Sequence, residues 1–350
     1  MEKLKKNARV ILYNLLVVFL FFSCIEFGIA LLLRNPQFIP GSLLDEFRNY
    51  YNESDRQIIQ FNPSNVAYDS SLYYIFKPGK FKFSNREFES TCSINSKGLR
   101  DDDSSLIHPS IISLGDSYTM GWGVEQDESF PEQLEKKIGR KVLNAGVSSY
   151  GTARELKLLE QLNTDSLRYI ILQYCTNDKD ENNSYLHHEN KLIVSSKESF
   201  SKVTADYLSN LKYYPFKHLY KMSGIIHNII LKGRQPGIEE WPPQQIRSVF
   251  SDHAIKFLSV MNNFQSLPDS VPVIVLCLDS YTCSPYFTDA VEREIKSDEF
   301  SKLKSRIKLL DLSKIISDDE FYRLDGHLKP QAHEKIADAI YQLIRSNSRQ

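Results

Sequence analysis

Short apolar runs alternate with amphipathic stretches from residue 110 to the end of the chain, and this alternation restricts the fold more than any other feature. Apolar runs of this length, rich in β-branched residues, predict buried strands. The predicted strands are Ile111–Leu114, Lys141–Gly146, Tyr169–Tyr174, Val271–Leu278 and Ile307–Leu312. The predicted helices are Phe130–Ile138, Thr152–Leu162, Gln244–Phe264, Ala290–Leu303 and Pro330–Ile344. Strands and helices in alternation form a mostly parallel sheet with helices on both faces, so we expect one α/β domain over residues 109–346.

The N-terminus carries an apolar run, residues 10–33, that is long enough to cross a bilayer at about 1.5 Å per residue. Four basic residues precede it: Lys3, Lys5, Lys6 and Arg9. Basic residues before a span place residues 1–9 in the cytoplasm. The sequence therefore predicts a single-pass protein of the cytoplasmic membrane with a periplasmic domain. A cleaved signal peptide is the alternative, but no small-x-small cleavage site follows Leu33.

One carboxylate, Glu26, lies inside this span. An ionisable group in hydrocarbon is costly unless it is paired or protonated, so such a residue indicates a functional site by default. The other interpretation is that Glu26 lies near the outer interface, one or two turns before Arg34, and reaches water. We expect the second.

Two further segments interrupt the strand and helix pattern. Residues 34–108 contain no long helical period and several Pro and Gly turns, which predicts an extended stalk and an edge hairpin. Arg100 near its end is expected to form a surface ion pair, with a substrate contact as the alternative. Residues of about 183–268 are predicted to be a helical insertion. An insertion at a strand's carboxyl end either shapes specificity or only adds packing, and both remain open.

Charge and cysteine usage exclude some classes of function. The formal net charge is −1, so no basic field argues for nucleic acid. The five cysteines contain no Cys-x-x-Cys pair, which removes the usual zinc and thioredoxin-like sites. Whether Cys92 and Cys283 pair stays open at this point.

The first predicted strand ends at Gly115-Asp116-Ser117, and in open α/β sheets ligands bind beyond the carboxyl ends of the strands. A serine hydroxyl becomes a nucleophile only beside a base that a third group orients. Asp325 and His327, in the loop before the last helix, can supply the orienting carboxylate and the base. His333 is the alternative base, but it falls in the last predicted helix, where a structural role is expected.

An oxyanion hole needs donors where negative charge develops. The candidates are the backbone amides of Ser117 and Gly146 and the side-chain amide of Asn177, each at a strand end. Asp116 and Asp178 are expected to be structural neighbours of the site, with the Asp116 carboxylate accepting from backbone amides at the nucleophile turn.

Four blocks together resemble the SGNH branch of the GDSL hydrolase superfamily: Gly115-Asp116-Ser117, Asn144-Ala145-Gly146, Asn177-Asp178, and Asp325 with His327. The resemblance covers roughly residues 110–345. It implies a three-layer, flavodoxin-like SGNH fold with a mostly parallel sheet, here with an N-terminal transmembrane helix and a helical insertion. Members are esterases, lipases, carbohydrate deacetylases and some O-acetyltransferases, and the resemblance implies no metal and no cofactor.

The chain departs from the family's pattern in two places. Cys175 stands where the third block usually has glycine. Asp325 and His327 are separated by one residue instead of two, a spacing similar to that of membrane-linked O-acetyltransferases acting on alginate and related polysaccharides.

The sequence thus predicts a serine-dependent acyl-ester hydrolase, an esterase or deacetylase acting on an O-acyl group of a cell-envelope glycan or lipid. One alternative is an O-acetyltransferase that takes its acyl group from a membrane partner and modifies an extracytoplasmic polysaccharide. Another is a glycan-binding subunit with a silent triad. The expected partners are the ester-bearing substrate and the membrane.

Overall fold

The computed structural model describes residues 2–234, 236–264, 267–268 and 270–347. Its strands are β1 (Val66–Asp69), β2 (Tyr73–Phe76), β3 (Gly79–Ser84), β4 (Glu89–Ile94), β5 (Ile111–Gly115), β6 (Val142–Gly146), β7 (Tyr169–Tyr174), β8 (Val273–Cys277) and β9 (Ile307–Leu310). Its helices are α1 (Glu2–Arg34), α2 (Leu44–Ser54), α3 (Ser117–Met120), α4 (Phe130–Ile138), α5 (Thr152–Leu159), α6 (Asp178–His187), α7 (Lys197–Leu211), α8 (Lys217–Lys232), α9 (Pro243–Asn263), α10 (Tyr286–Glu294), α11 (Ser301–Lys304) and α12 (Pro330–Asn347).

The chain divides into two compact units. The anchor unit comprises residues 2–57, 208–234 and 323–325. The sheet unit comprises the described residues of 58–207, 236–322 and 326–347.

Five parallel strands form the central sheet of the sheet unit, in the order β6-β5-β7-β8-β9. Counted within this sheet, that is the 2-1-3-4-5 order of flavodoxin-like folds. The predicted α/β class and parallel sheet are confirmed. Because β5 lies between β6 and β7, the residues that follow these three strands lie side by side at one edge of the sheet.

Alternate residues of each strand enter two different cores, which makes the unit three-layered. Ile112, Leu143 and Val275 pack in one core with residues of α5, α9 and α10. Ile111, Val142 and Ile274 pack in the other with residues of α4 and α12. Side chains alternate across a strand, so a strand that is buried on both faces is mostly apolar. That is why these strands appear in the sequence as short runs with few polar residues, such as Ser113, Asn144 and Gln173.

The predicted helix Ala290–Leu303 is two shorter helices, α10 and α11. Ser297 between them has extended backbone angles, φ −67° and ψ 152°, and therefore breaks the helix.

Residues 34–108 differ from the extended stalk that the sequence predicts. An eleven-residue helix, α2, buries Phe47, Tyr50 and Tyr51 in the anchor unit. In the sheet unit, two antiparallel hairpins, β1–β2 and β3–β4, contribute buried residues to the same core as α5 and α9. The predicted hairpin over Lys80–Ser84 is β3 with its partner β4. The buried aromatic residues explain the difference, because such side chains need a core.

The anchor unit is built from α1, α2 and α8 around a core that contains Leu33, Tyr50, Tyr51, Met222 and Leu324. Helix α1 is long and apolar enough to cross a membrane, and its apolar stretch is almost entirely exposed. This agrees with the predicted N-terminal span.

The sequence predicts that Glu26 reaches water. In the structure Glu26 of α1 is buried, so this prediction is wrong. Its carboxylate accepts hydrogen bonds from the backbone N–H groups of His218 (3.2 Å) and Leu219 (2.8 Å) and from the hydroxyl of Tyr213 (2.8 Å). The first turn of a helix has unpaired N–H groups and a positive dipole end. Glu26 therefore caps α8.

The predicted insertion is helical, with α7, α8 and α9 falling between residues 183 and 268. Helix α9 buries Phe250, Ala254, Phe257 and Leu258 in the core of the sheet unit. All five cysteines are free thiols, so Cys92 and Cys283 form no disulfide.

Candidate active site

The nucleophile candidate lies at a sharp strand-to-helix turn. Strand β5 ends at Gly115, and Ser117 is the first residue of the short helix α3. Gly115 has φ 155°, and a Cβ there would lie 2.1 Å from Oγ1 of Thr119 and 2.6 Å from Oε1 of Gln173. Only glycine fits at this position, and the chain can turn there because of it.

Ser117 and His327 meet at hydrogen-bond distance. The Oγ of Ser117 is 2.7 Å from Nε2 of His327, across 210 residues of chain. Both residues are buried, with 8% and 5% of their surface exposed. A serine hydroxyl this close to an imidazole nitrogen can transfer its proton to that nitrogen. Serine and base come together as the sequence predicts.

Two aromatic rings hold the imidazole of His327. The indole of Trp122 stacks on it with ring centroids 4.9 Å apart and an 18° angle between planes. The ring of Tyr118 lies 4.8 Å away at 33°. These two ring contacts restrict the orientation of the imidazole beside Ser117. Sequence reasoning missed both residues, although they follow Ser117 closely in the chain.

Arg100 stabilises the backbone that follows the nucleophile helix. It is 1% exposed, and its guanidinium donates to four carbonyl oxygens: those of Thr91, Met120, Gly121 and Val124. The sequence predicted a surface ion pair or a substrate contact, and both predictions are wrong. The sequence could not show that these four carbonyl oxygens lie close together in the folded chain.

The predicted orienting residue, Asp325, belongs to the anchor unit and is 1% exposed. Its Oδ2 accepts a hydrogen bond from the hydroxyl of Tyr51, which is also fully buried. The same unit fixes the neighbouring backbone, because Nε of Arg48 donates to the carbonyl of Arg323 at 2.9 Å. Sequence reasoning missed Tyr51, which lies 274 residues away along the chain.

One of the three predicted oxyanion donors, the backbone N–H of Gly146, already has a hydrogen-bond partner. Its N–H donates to Oδ1 of Asn144 at 3.1 Å, so the structure contradicts its role as a free donor. A Cβ at Gly146 would lie 2.3 Å from the backbone nitrogen of Met120. The glycine is needed because α3 packs directly on the end of β6.

Ser117 and Asn177 keep their donors available. Among the hydrogen bonds of the described residues, none uses the Ser117 N–H or the Asn177 side-chain amide. Asn177 follows β7, the neighbour of β5, and is exposed. Its loop is fixed by Asp279, whose Oδ1 accepts from the N–H (2.9 Å) and hydroxyl (2.7 Å) of Thr176 and from the Cys175 thiol (3.1 Å). The Cys175 side chain is therefore held in the loop and is buried.

The two predicted structural aspartates are buried and hydrogen-bonded. Asp116 accepts from the N–H of Tyr118 at 2.9 Å, as predicted, and Asp178 accepts from the hydroxyl of Thr152 at 2.9 Å. Burial raises the pKa of Asp116 to about 7. Burial, together with the nearby charge of Asp116, also raises the pKa of Asp178. In both cases burial disfavours the charged form of the carboxyl.

His333, the alternative base, has a different partner. Its Nδ1 accepts from the N–H of Phe130 at 3.3 Å, in the first turn of α4. Burial lowers its pKa to about 3, so it stays neutral. It supports the core, as the sequence predicted.

Comparison with known proteins returns solved structures only. No family model matches the chain, and no curated protein matches it. A structure from Desulfitobacterium hafniense DCB-2, described as a lipolytic protein of the G-D-S-L family, is 11% identical with a TM-score of 0.32, covering 67% of this chain and 98% of that one. A carbohydrate acetylesterase from Sinorhizobium meliloti is 14% identical with a TM-score of 0.34, covering 68% and 99%. An aryl esterase from M. smegmatis is 17% identical with a TM-score of 0.33, covering 67% and 98%.

At these TM-scores and identities the likenesses say nothing about residues or substrates. The chain's own sheet order shows the fold instead: a three-layer α/β unit with the strand order of flavodoxin-like folds.

Proposed function

We propose that this chain is a serine-dependent acyl-ester hydrolase that removes an O-acyl group from a glycan or lipid of the cell envelope. The observation that carries the proposal is the 2.7 Å contact between Ser117 Oγ and His327 Nε2 at the carboxyl edge of the sheet. Ser117 is the nucleophile and His327 the general base.

In the first half of the reaction, His327 takes the hydroxyl proton as Ser117 Oγ attacks the ester carbonyl. The tetrahedral intermediate collapses, the C–O bond to the sugar or lipid oxygen breaks, and His327 returns the proton to that oxygen. The acyl group remains on Ser117. In the second half, His327 takes a proton from water, the resulting hydroxide attacks the acyl carbonyl, and Ser117 is released with its proton restored.

Two groups support the negative charge of the intermediate. They are the N–H of Ser117 and the side-chain amide of Asn177, both unused by other described residues. Removing one such donor costs about 10²–10³-fold in kcat. The role of Asp325 rests on its place two residues before His327 along the chain. It would orient the imidazole and stabilise its charged form.

The location of the substrate follows from α1. With α1 as an anchor and the basic residues before it in the cytoplasm, the remainder of the chain lies on the outer side of the membrane. An anchored enzyme reaches only molecules close to that surface, which favours envelope glycans and lipids as the ester-bearing substrate.

Fluorophosphonate labelling of the full chain in lipid nanodiscs tests the nucleophile. We expect the parent to be labelled at Ser117, and the Ser117→Ala and His327→Ala variants to lose labelling. Ser113→Ala is the matched control, because Ser113 is a buried serine on β5, the strand that leads to Ser117. Labelling of Ser117→Ala, or none of a folded parent, contradicts the proposal.

Hydrolysis of an activated acetyl ester is the second test. Ser117→Ala should lower kcat at least about 10⁴-fold, since the residues of such a site act as a unit. Acetylated sugar as the main product when a polysaccharide acceptor is present would assign the chain to the O-acetyltransferases. Glycan binding without labelling or turnover would assign it to the binding subunits.

A further inference from the structure

One carboxylate beyond the end of β8 binds the loop that follows β7. Strands β7 and β8 are neighbours in the sheet, with Tyr174 paired to Cys277 at their ends. Asp279 follows β8 by two residues. Its Oδ1 accepts hydrogen bonds from the thiol of Cys175 (3.1 Å) and from the N–H (2.9 Å) and hydroxyl (2.7 Å) of Thr176. Three donors of two consecutive residues therefore converge on one oxygen atom.

Asn177 is the next residue of this loop. Its backbone angles, φ −71° and ψ −17°, are helical, and its side chain does not cap α6, although asparagine is a preferred N-cap residue. On its other side, the N–H of Asp178 donates to the carbonyl of Cys175 at 3.0 Å, and Oδ2 of Asp178 accepts from the hydroxyl of Thr152 at 2.9 Å. Both neighbours of Asn177 are thus fixed, so the backbone that carries its exposed side-chain amide has little freedom.

The turn that Asp279 begins also contacts the loop of the base. Asp279 and Thr282 form an antiparallel bridge, and Tyr281 between them has φ 68°. The N–H of Tyr281 donates to the carbonyl of Gly326 at 3.3 Å. Gly326 has φ 75° and directly precedes His327, and a Cβ on it would lie 2.8 Å from the ring of Tyr281. The ring therefore packs closely on the residue before the base because that residue is glycine.

A third contact of this turn lies on the side of the nucleophile. The hydroxyl of Tyr118 donates to the carbonyl of Gly326 at 3.1 Å and lies 3.2 Å from Oγ of Ser280. Tyr118 directly follows Ser117. The segment 279–281 thus contacts residues in the loops of the nucleophile, of the oxyanion donor Asn177 and of the base.

The backbone of Tyr281 agrees with such a connecting role. A left-handed conformation is costly for a residue with a Cβ, and it persists only where the surrounding structure enforces it. Strained positions of this kind are concentrated at functional sites. The hydrogen bond and ring contact to Gly326 are the interactions that enforce it here.

We propose that Asp279 is a positioning residue, which holds the side-chain amide of Asn177 at the place where the oxyanion forms beside Ser117. It acts through its hydrogen bonds to Thr176, and the turn that it begins keeps this loop next to the loop of His327. Asp279 itself has no contact with the substrate in this role. The inference rests on the proposed function, because the position of Asn177 matters only if an oxyanion forms.

A double-mutant cycle on the full chain in lipid nanodiscs tests the proposal, with hydrolysis of p-nitrophenyl acetate as the assay. Asn177→Ala removes the donor and should lower kcat about 10²–10³-fold. Asp279→Ala leaves the donor in place but releases its loop, and should lower kcat about 10²-fold with little change in KM. Because Asp279 acts through Asn177, the double variant should be no slower than Asn177→Ala alone.

Three further variants sharpen the cycle. Asp279→Asn keeps an acceptor for the donors of Thr176 and should retain most of the parent's kcat. Thr176→Val keeps the shape but removes one of the three hydrogen bonds, so it tests the same contact if Asp279→Ala does not fold. We expect it to lower kcat about fivefold, and to have no effect when Asn177 is already alanine. Asp289→Ala, at an exposed aspartate of α10, is the matched control and should leave kcat and KM unchanged.

Losses that multiply in the double variant would show that Asp279 acts on the fold as a whole, and they overturn the proposal. So does an unchanged kcat in folded Asp279→Ala. An unchanged kcat in Asn177→Ala overturns the donor and the positioning role together, while the hydrolase proposal stands if Ser117→Ala is inactive. Activity of Ser117→Ala equal to that of the parent, or a folded parent without activity, overturns the hydrolase proposal and the positioning role with it.

Discussion

The sheet unit and the anchor unit enclose their apolar side chains to different extents. The sheet unit covers both faces of its sheet with its own helices, so its apolar residues are enclosed by the chain. The anchor unit has a small core around Leu33, Tyr50 and Tyr51 and leaves much apolar surface exposed. The two units therefore differ in how much of their apolar surface the described chain encloses.

Both units nevertheless bury a charged side chain in a similar manner. Arg100 in the sheet unit donates to four backbone carbonyls, and Glu26 in the anchor unit accepts from two backbone amides and one tyrosine hydroxyl. Neither of them forms an ion pair in these contacts. The comparison shows that backbone polar groups can satisfy a buried charge when the fold directs several of them to one point.

The largest effect is expected for Arg100→Ala. Removing the guanidinium leaves four buried carbonyls without this donor, which should lower the free energy of unfolding by about 3–5 kcal/mol. Urea unfolding measures this change. Arg140→Ala, at an exposed arginine of the same unit, is the control and should change stability by less than about 0.5 kcal/mol.

A smaller effect is expected from the titration of Asp116. Burial raises its pKa from 3.8 to about 7, so the folded state holds a proton that the unfolded state releases in this range. Its stabilising contribution is present below pH 3.8 and is lost as the pH rises towards 7, at up to about 1.4 kcal/mol per pH unit. Asp116→Asn keeps an acceptor for the Tyr118 N–H but does not titrate.

Urea unfolding between pH 4 and 8 distinguishes parent and variant. The stability of the parent should fall relative to that of Asp116→Asn as the pH rises through this window. Parallel curves for the two proteins would show that Asp116 is ionised in the fold over the whole range.

The smallest effect is expected for Tyr51→Phe. Tyr51 is proposed as a positioning residue, because its hydroxyl binds the carboxylate of Asp325. Its loss should lower kcat/KM about tenfold, or about 1.4 kcal/mol, and alter the pH profile. Tyr50→Phe is the matched control, since Tyr50 is equally buried and its hydroxyl binds His218 at 2.5 Å.

Both variants lose one buried hydrogen bond and should be destabilised similarly, by about 1 kcal/mol. Equal activity of the two would limit the anchor unit to a structural role. Because Asp325, Leu33 and Glu26 belong to this unit, these assays need the full chain and not a fragment beginning at residue 35.

The sequence by itself determined the elements whose pattern is local. The five parallel strands were predictable because strands covered on both faces are short and mostly apolar, and helix α4 begins and ends where its pattern predicts. The long apolar helix α1 was predictable from apolar length. The contact between Ser117 and His327 was predictable from residue types at a strand end and in the loop before the last helix.

Only the tertiary structure decided the partners of the buried polar groups. Partners that are far apart in sequence are joined in two places: Tyr51 with Asp325, and the rings of Tyr118 and Trp122 with His327. Arg100 reaches carbonyls that are 9 to 24 residues away. No local pattern encodes such pairs, because hydrogen bonding depends on distances that exist only after the chain has folded. The same reason explains why Gly146 looked like a free donor, although its amide is bound to Asn144.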